Sequence, residues 1–498
     1  MNKPFKIVIL GGGTAGWMAA NLFANQWRQQ NIQITLVESP DIGIVGVGEG
    51  STPSLKHFFQ QLNIAESDWM PRCNATYKVN IRFAGWSPAS GIAQYSHPFV
   101  CQTDTFTKRD FYLNCRTRRL GLDTHVVPED FLLNGWLAKQ NKGPLAPENF
   151  PFEMEYGYHF DSHLLGQFLA EHGQKLGVIH RQEIVTSVET HDNGDIARLQ
   201  CESGAHIDGD LFVDCSGFAA VLMQRTLGVK FQSYKENLFN DAAVVMPTPI
   251  KQVIPAETIA TALTNGWAWK IPLTNRYGNG YVYSSDFISS DQAEQELRLH
   301  LQTLDDPQAC RHLKMRVGQL EQHWVKNCIG LGLSQGFIEP LEATALHLVQ
   351  VCIETFITEF ESGKFTAQHQ QKYNQQISER FERVRDYVVA HYKLNTRDDS
   401  EYWRVNRNNE NLSDSLLNIL HVWYQREDLQ TEINRQQISS HFDTISWHCL
   451  LAGYGAFPPL AAKQPRQGDM YLEKSIEQFN YRCALNFSSH QSNLNQLK

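Results

Sequence analysis

Six residues near the N-terminus, Gly11-Gly12-Gly13-Thr14-Ala15-Gly16, constrain this chain more than any other stretch. They follow the apolar run Ile7-Val8-Ile9-Leu10 and open a segment in which Ala15, Met18, Ala19, Leu22, Phe23 and Trp27 recur at helical spacing. An apolar run that ends in glycines and leads into an amphipathic helix predicts a buried parallel strand, a tight turn and a crossover helix. Gly11 permits the turn, Gly13 lets a pyrophosphate approach the backbone, and Gly16 lets helix and strand pack closely. The helix N-terminus offers oriented N–H groups to the anion. Ile34-Thr35-Leu36-Val37 reads as the second strand and ends in Glu38. A carboxylate there accepts from ribose hydroxyls and repels a 2′-phosphate. The pattern predicts a dinucleotide site built from Gly11, Gly13, Thr14, Ala15, Gly16 and Glu38.

The 498 residues suffice for two or three packed regions, and 42% hydrophobic with 19% charged residues marks a globular chain. A net charge of -9 leaves no basic footprint, so nucleic acid is not an expected partner. The ten cysteines include no CxxC pair, which speaks against zinc ribbons, redox pairs and disulfide frameworks; no metal is expected. No run reaches the roughly 18 apolar residues of a spanning helix. The reading is a soluble, cytoplasmic protein without membrane partners, compatible with a homodimer.

Beyond the first strands, the glycine-rich stretch 43–53 is too irregular for a helix or strand. Residues 90–150 mix aromatics with proline and charge, as expected of a segment inserted over the nucleotide fold. Residues 162–176 read as a helix. Asn193-Gly194 and Ser203-Gly204 read as hairpin turns around the strand-like stretch 196–215. Helical spacing dominates 342–362 and 366–393 and returns near 414–423 and 471–485. The expected fold is mixed α/β: a Rossmann-like nucleotide-binding core over 1–345, with the insertion at about 90–150, and a mainly helical C-terminal region over 346–498.

Later motifs narrow the chemistry. Asp210-Leu211-Phe212-Val213-Asp214-Cys215-Ser216-Gly217 resembles the strand-to-glycine segment of FAD-dependent hydroxylase-like folds. No second GxGxxG exists for a nicotinamide cofactor, so one dinucleotide, FAD, is expected. Gly266-Trp267-Ala268-Trp269-Lys270-Ile271-Pro272 contains WxWxIP, the signature of flavin-dependent tryptophan halogenases and their relatives. Gly46-Val47-Gly48-Glu49-Gly50-Ser51-Thr52-Pro53 resembles that family's flavin-covering loop, and Cys73-Asn74-Ala75-Thr76-Tyr77-Lys78 its catalytic-lysine segment. Gly280-Tyr281-Val282-Tyr283-Ser284-Ser285 and Phe337-Ile338-Glu339-Pro340-Leu341-Glu342-Ala343-Thr344 match further stretches in the family's order.

The resemblance implies a mixed α/β fold of the flavin monooxygenase and halogenase type. It also implies an activity in which FADH2, supplied by a separate NAD(P)H-dependent flavin reductase, reacts with O2 to a flavin hydroperoxide. Chloride or bromide attacks this to give hypohalous acid, which reaches an electron-rich aromatic, tryptophan, indole or related, through Lys78. An ammonium can donate to the hypohalite oxygen and polarise the halogen, whereas a neutral amine can be halogenated directly. Glu342 matches the glutamate that serves this lysine and the ring proton. Outside these motifs, Lys78 would read as a solvated lysine and Glu342 as an acid at a helix N-terminus. Gly48 and Glu49 join the implied cofactor residues. Thr344 and Ala345 match the halide site, where backbone N–H groups receive an anion. The family commonly has Ser-Thr-Gly where this chain has Ala343-Thr344-Ala345. If position 345 needs positive φ, alanine strains the turn, and weaker use of chloride than of bromide is expected. His97 and Phe99 resemble substrate-pocket residues that stack on a ring. Trp267 and Trp269 are expected to pack as a wall that keeps substrate from the flavin. An aromatic hydroxylase of the same fold, with substrate reaching the flavin directly, is the alternative. A flavin-binding protein without chemistry would need neither Lys78 nor Glu342.

Overall fold

Alternation of apolar residues with glycine turns dictates the start of the chain, and the computed structural model, which describes residues 3–43, 48–438 and 442–497, places strand β1 at Phe5–Leu10, helix α1 at Thr14–Gln26 and strand β2 at Ile32–Glu38. The strands pair in parallel, Ile7 beside Ile34 and Ile9 beside Leu36. Helix α1 is buried along Gly16–Ala24 because it packs on the sheet and on the helices Ser162–Lys175 and Ala345–Ser362.

Chain contacts divide the molecule into two units of three segments each. The first comprises Met1–Asn74, Phe160–Lys235 and Arg316–Glu382. Its six-stranded sheet runs Trp324–Val325, Cys328–Gly330, Leu211–Asp214, β1, β2, Ile179–Gln182, parallel except at the first pair. Val8, Leu10, Val37, Phe212, Leu222 and Met223 are among its core residues. The expected hairpins are present: Val185–Thr190, Ile196–Cys201 and His206–Asp208 form an antiparallel sheet, with Gly194 and Gly204 both at positive φ in the turns.

The second unit comprises Ala75–His159, Glu236–Met315 and Arg383–Lys498. Its seven-stranded sheet runs Arg311–Lys314, Ala242–Pro249, Arg276–Tyr283, Gly266–Pro272, Glu257–Leu263, Asn80–Ser87, Ile92–Pro98. Only the pair Glu257–Leu263 and Asn80–Ser87 is parallel. Helices then dominate from Glu401–Asn408 to the last, His490–Asn495. The mixed α/β class with a helical C-terminal region is as expected.

Three local expectations need correction. Part of the glycine-rich stretch is a short strand, Gly48–Gly50, while residues 44–47 lie outside those described. The helix expected from 342 begins at Ala345, because Pro340–Glu342 forms a 3-10 turn that ends on Ala343 with φ of +56°. The helix expected over 471–485 is two, Met470–Glu473 and Ile476–Ala484, broken where Ser475 takes the left-handed conformation. Among the described residues no two of the ten cysteines are joined in a disulfide. Among the described residues no helix is long and apolar enough to cross a membrane.

Candidate active site

The glycine turn is shaped for an anion. Gly11 has φ of +118°, and a Cβ on it would collide with the Cys215 carbonyl. A Cβ on Gly16 would strike the Gly11 carbonyl, so turn and helix are in direct backbone contact. Gly13 alone faces open space, with nothing within 4 Å of where its Cβ would sit. It is the N-cap of α1 and supplies no side-chain cap, and the first turn holds no acid. The N–H groups of Thr14, Ala15 and Gly16 thus stand at an uncapped helix start, the setting that takes a phosphate. Glu38 closes the far side of the turn, since a Cβ on Gly12 would meet its carboxylate. Its Oε1 also accepts from His180 Nε2 at 2.6 Å, a partner the sequence did not indicate.

Two further parts complete the cradle, Asp214 within the motif over 210–217 and the loop at Gly332, which carried no motif. Asp214 is fully buried and accepts from Ser216 N, Leu222 N and Met223 N, which fixes the turn below Gly11. The loop at Gly332 packs on α1 so tightly that a Cβ there would touch Ala15, and Leu331 N donates to the Asp214 carbonyl at 2.9 Å. In the same unit, Glu49 lies beside Ser162 and Asp161. Burial pushes its carboxyl up to about 7; the Ser162 hydrogen bond opposes this and the Asp161 charge adds to it.

The turn after Pro340 sets the next group of residues. Glu339, Glu342 and Thr344 are all buried, at 0%, 3% and 3% exposure. Thr344 caps the helix Ala345–Ser362 without a side-chain bond, and its buried Oγ1 has no hydrogen-bond partner among the described residues. Positive φ falls on Ala343, while Ala345 is the first helical residue. Alanine at 345 is therefore unstrained, and the backbone argument for impaired chloride use does not hold.

In the second unit, Lys78 ends the strand Thr76–Lys78, which pairs with Gly157–Asp161 so that Thr76 faces His159 and Lys78 faces Gly157. Its side chain is fully buried. Val79 is clamped on both sides: its N–H donates to Ala256 O at 2.8 Å and its carbonyl accepts from Phe99 N at 3.1 Å. That clamp brings Phe99 to the lysine, whose Nζ lies 5.3 Å from the ring centroid, a cation–π distance. His97 and Phe99 are two residues apart at the end of Ile92–Pro98, both half-buried, with His97 6.0 Å from the Tyr387 ring. Trp267 and Trp269 are 1% and 9% exposed, on the strand Gly266–Pro272.

Sequence reasoning missed the polar ring around the lysine strand. Thr76 Oγ1 donates to Pro272 O at 2.7 Å, so it accepts from His159 Nδ1 at 3.0 Å; His159 Nε2 then accepts from Thr258 Oγ1 at 2.9 Å. These roles require a neutral His159, and burial, then the charge of Lys78, hold its pKa well below the ordinary value. His490, from the last helix, accepts from Tyr77 N–H. Lone histidines carry no signal that would have assigned them to this strand.

Comparison with known proteins follows the same lines. The sequence profile of the tryptophan halogenase family matches residues 6–467. The chain is similar to tryptophan 6-halogenase SttH of Streptomyces toxytricini, 36% identical over 490 residues, which are 93% of this chain and 92% of that protein. It is similar to tryptophan 7-halogenase RebH of Lentzea aerocolonigenes, 32% identical over 94% of this chain and 92% of that one. Its fold matches the structure of Xcc4156, a flavin-dependent halogenase from Xanthomonas campestris, with a TM-score of 0.84 and 32% identity over 100% of this chain and 99% of the other.

Proposed function

Because the chain belongs to the tryptophan halogenase family, a family of flavin-dependent halogenases, we propose that it halogenates the indole ring of tryptophan or a related electron-rich aromatic, with Lys78 presenting the halogen. The observation that carries this reading is the fully buried lysine on a clamped strand with Phe99 beside its ammonium.

The residues present fit FAD: an uncapped helix start with open space at Gly13 for the pyrophosphate, and Glu38 at the end of β2 for ribose hydroxyls. Gly11, Thr14, Ala15 and Gly16 complete this cradle, and Gly48 and Glu49 are assigned to it by motif. Bound FAD, reduced by a separate NAD(P)H-dependent reductase, would supply hypohalous acid from O2 and halide. Halide is assigned to the turn at Thr344 and Ala345, where an uncapped helix start favours an anion.

Lys78 donates a hydrogen bond to the oxygen of the hypohalous acid, which draws electron density from the halogen. The ring carbon takes the halogen, and hydroxide leaves as water with the lysine's help. Glu342 takes the proton that the ring carbon gives up. His97 and Phe99 offer the aromatic faces against which the substrate ring lies. Trp267 and Trp269 fill space in the second unit, the packing role their motif implies.

The test supplies the purified protein with FAD, a flavin reductase with NADH, oxygen and bromide, and reads tryptophan, indole and phenols by mass spectrometry. Gain of bromine is expected from the wild type. Lys78→Ala should lower it by about 100- to 1,000-fold, the scale of removing one preorganised transition-state donor, with FAD affinity unchanged. Gain of oxygen alone would make the protein a hydroxylase, and full bromination by Lys78→Ala would remove the lysine from the chemistry.

A further inference from the structure

His490 is fully buried at the start of the final helix, His490–Asn495, far in sequence from the lysine strand it touches. Its Nε2 lies 3.2 Å from Tyr77 N, and its Nδ1 lies 2.9 Å from Ile254 O. A backbone N–H can only donate and a carbonyl can only accept, so Nε2 must carry the lone pair and Nδ1 the proton. One neutral tautomer satisfies both bonds; the protonated ring cannot. Burial lowers its pKa to about 4, in keeping with that tautomer.

The helix that delivers this ring is itself held. His490 N donates to Asn141 O at 3.0 Å, and Gly143 N donates to Ser488 O at 3.1 Å. Lys142 Nζ donates to Ala484 O at 2.6 Å and to Phe487 O at 2.9 Å. Tyr77 thus has a rigidly mounted acceptor on one peptide, directly before Lys78. Thr76, one residue earlier, is bound to His159 and Pro272. Val79, one residue later, is bound to Ala256 and Phe99. Residues 76, 77 and 79 around the lysine are thus each hydrogen-bonded, the first through its side chain and the other two through their peptides, and His490 is the partner contributed by the C-terminal helix.

We propose that His490 is a positioning residue for halogen transfer: the C-terminal helix fixes the Lys78 backbone through a histidine locked in its Nδ1–H tautomer. This rests on the assignment of Lys78 above. An error of about 1 Å in placing a reacting group can cost about 100-fold in rate, so a backbone anchor next to the lysine bears on turnover rather than on cofactor or substrate affinity. Glutamine can replace both bonds, accepting with its amide oxygen and donating with its amide nitrogen, whereas alanine can replace neither.

The experiment compares wild type, Lys78→Ala, His490→Ala and His490→Gln in the bromination assay, with FAD affinity and substrate affinity measured separately. Loss of about 100-fold in kcat is expected for His490→Ala, with both affinities within about threefold of wild type. His490→Gln should recover most of the turnover. Wild-type turnover in His490→Ala would overturn the proposal, and so would a glutamine variant as impaired as the alanine one, since bulk alone would then explain the residue. If His490→Ala cannot be purified, the glutamine variant decides: recovery supports the proposal and failure overturns it. Inactive wild type, or active Lys78→Ala, would instead sink the functional reading on which the proposal stands.

Discussion

Ala343 carries φ of +56° with a Cβ attached. The left-handed conformation costs an L-residue about 1–2 kcal/mol, while glycine would lose about 0.5–1 kcal/mol more chain entropy on folding. The difference predicts that Ala343→Gly stabilises the protein by up to about 1.5 kcal/mol. Ala345→Gly should destabilise it, because that residue is helical and unstrained. Denaturant midpoints of both variants check the pair; the same sign for both would contradict the assignment of strain to 343. At this scale the sequence was informative where a residue type is required by geometry. The tight turn at Gly11 and the close helix contact at Gly16 were legible because each answers to a steric constraint within one βαβ unit. Lys78 was legible only through its motif, and His159 and His490 were not legible at all. Their partners lie 83 and 413 positions away in the chain, and a histidine takes its role from the groups it meets in the fold.

WxWxIP and the Gly280 stretch, read separately in the sequence, are the two halves of one antiparallel pair at the level of elements. Gly266–Pro272 lies against Arg276–Tyr283 with Trp269 directly opposite Gly280. A Cβ on Gly280 would sit inside the Trp269 indole. The glycine is thus the space into which the tryptophan folds, a cross-strand dependence that no single stretch reveals. Overpacking of a closed core typically costs about 1–3 kcal/mol, so Gly280→Ala should destabilise by about 3 kcal/mol, seen as a lower denaturation midpoint. An unchanged midpoint would mean that the indole has room to turn away. Element boundaries were legible where a periodic run met a glycine or proline, as for α1 and for the hairpins at Gly194 and Gly204. They were missed at Ser475, where an ordinary residue adopts the left-handed conformation and breaks a pattern that helical spacing alone would continue.

At the scale of the whole molecule, buried histidines and buried carboxyls respond to acid with opposite signs. His159, His323, His448 and His490 are each at most 5% exposed. Burial depresses all four: His159 well below its ordinary value, His323 to about 3, and His448 and His490 to about 4. The unfolded chain takes up protons on these rings near 6.5, the folded chain only below about 4. Stability attributable to them is therefore complete above about pH 6.5 and is lost as pH falls toward 4. Asp104 acts with the opposite sign. Burial raises its carboxyl to about 7 despite bonds from Leu133 N and Cys101 N, so its contribution is complete below the ordinary carboxylate range and fades as pH rises through 7. Burial raises Glu49, Glu129 and Asp214 in the same sense as Asp104 and depresses His347 with the other rings, so the two sets oppose one another between about pH 4.5 and 6.5 and the contribution of one ring is read by removing it. One proton corresponds to a slope of about 1.4 kcal/mol per pH unit. His448 donates from Nδ1 to the Thr444 carbonyl at 2.8 Å, a bond glutamine can keep. His448→Gln should remove roughly one proton's worth of that slope and leave stability at pH 7.5 nearly unchanged. Denaturant titrations of both proteins at half-unit steps measure this, and parallel curves across the acid range would show that His448 is not held neutral by the fold.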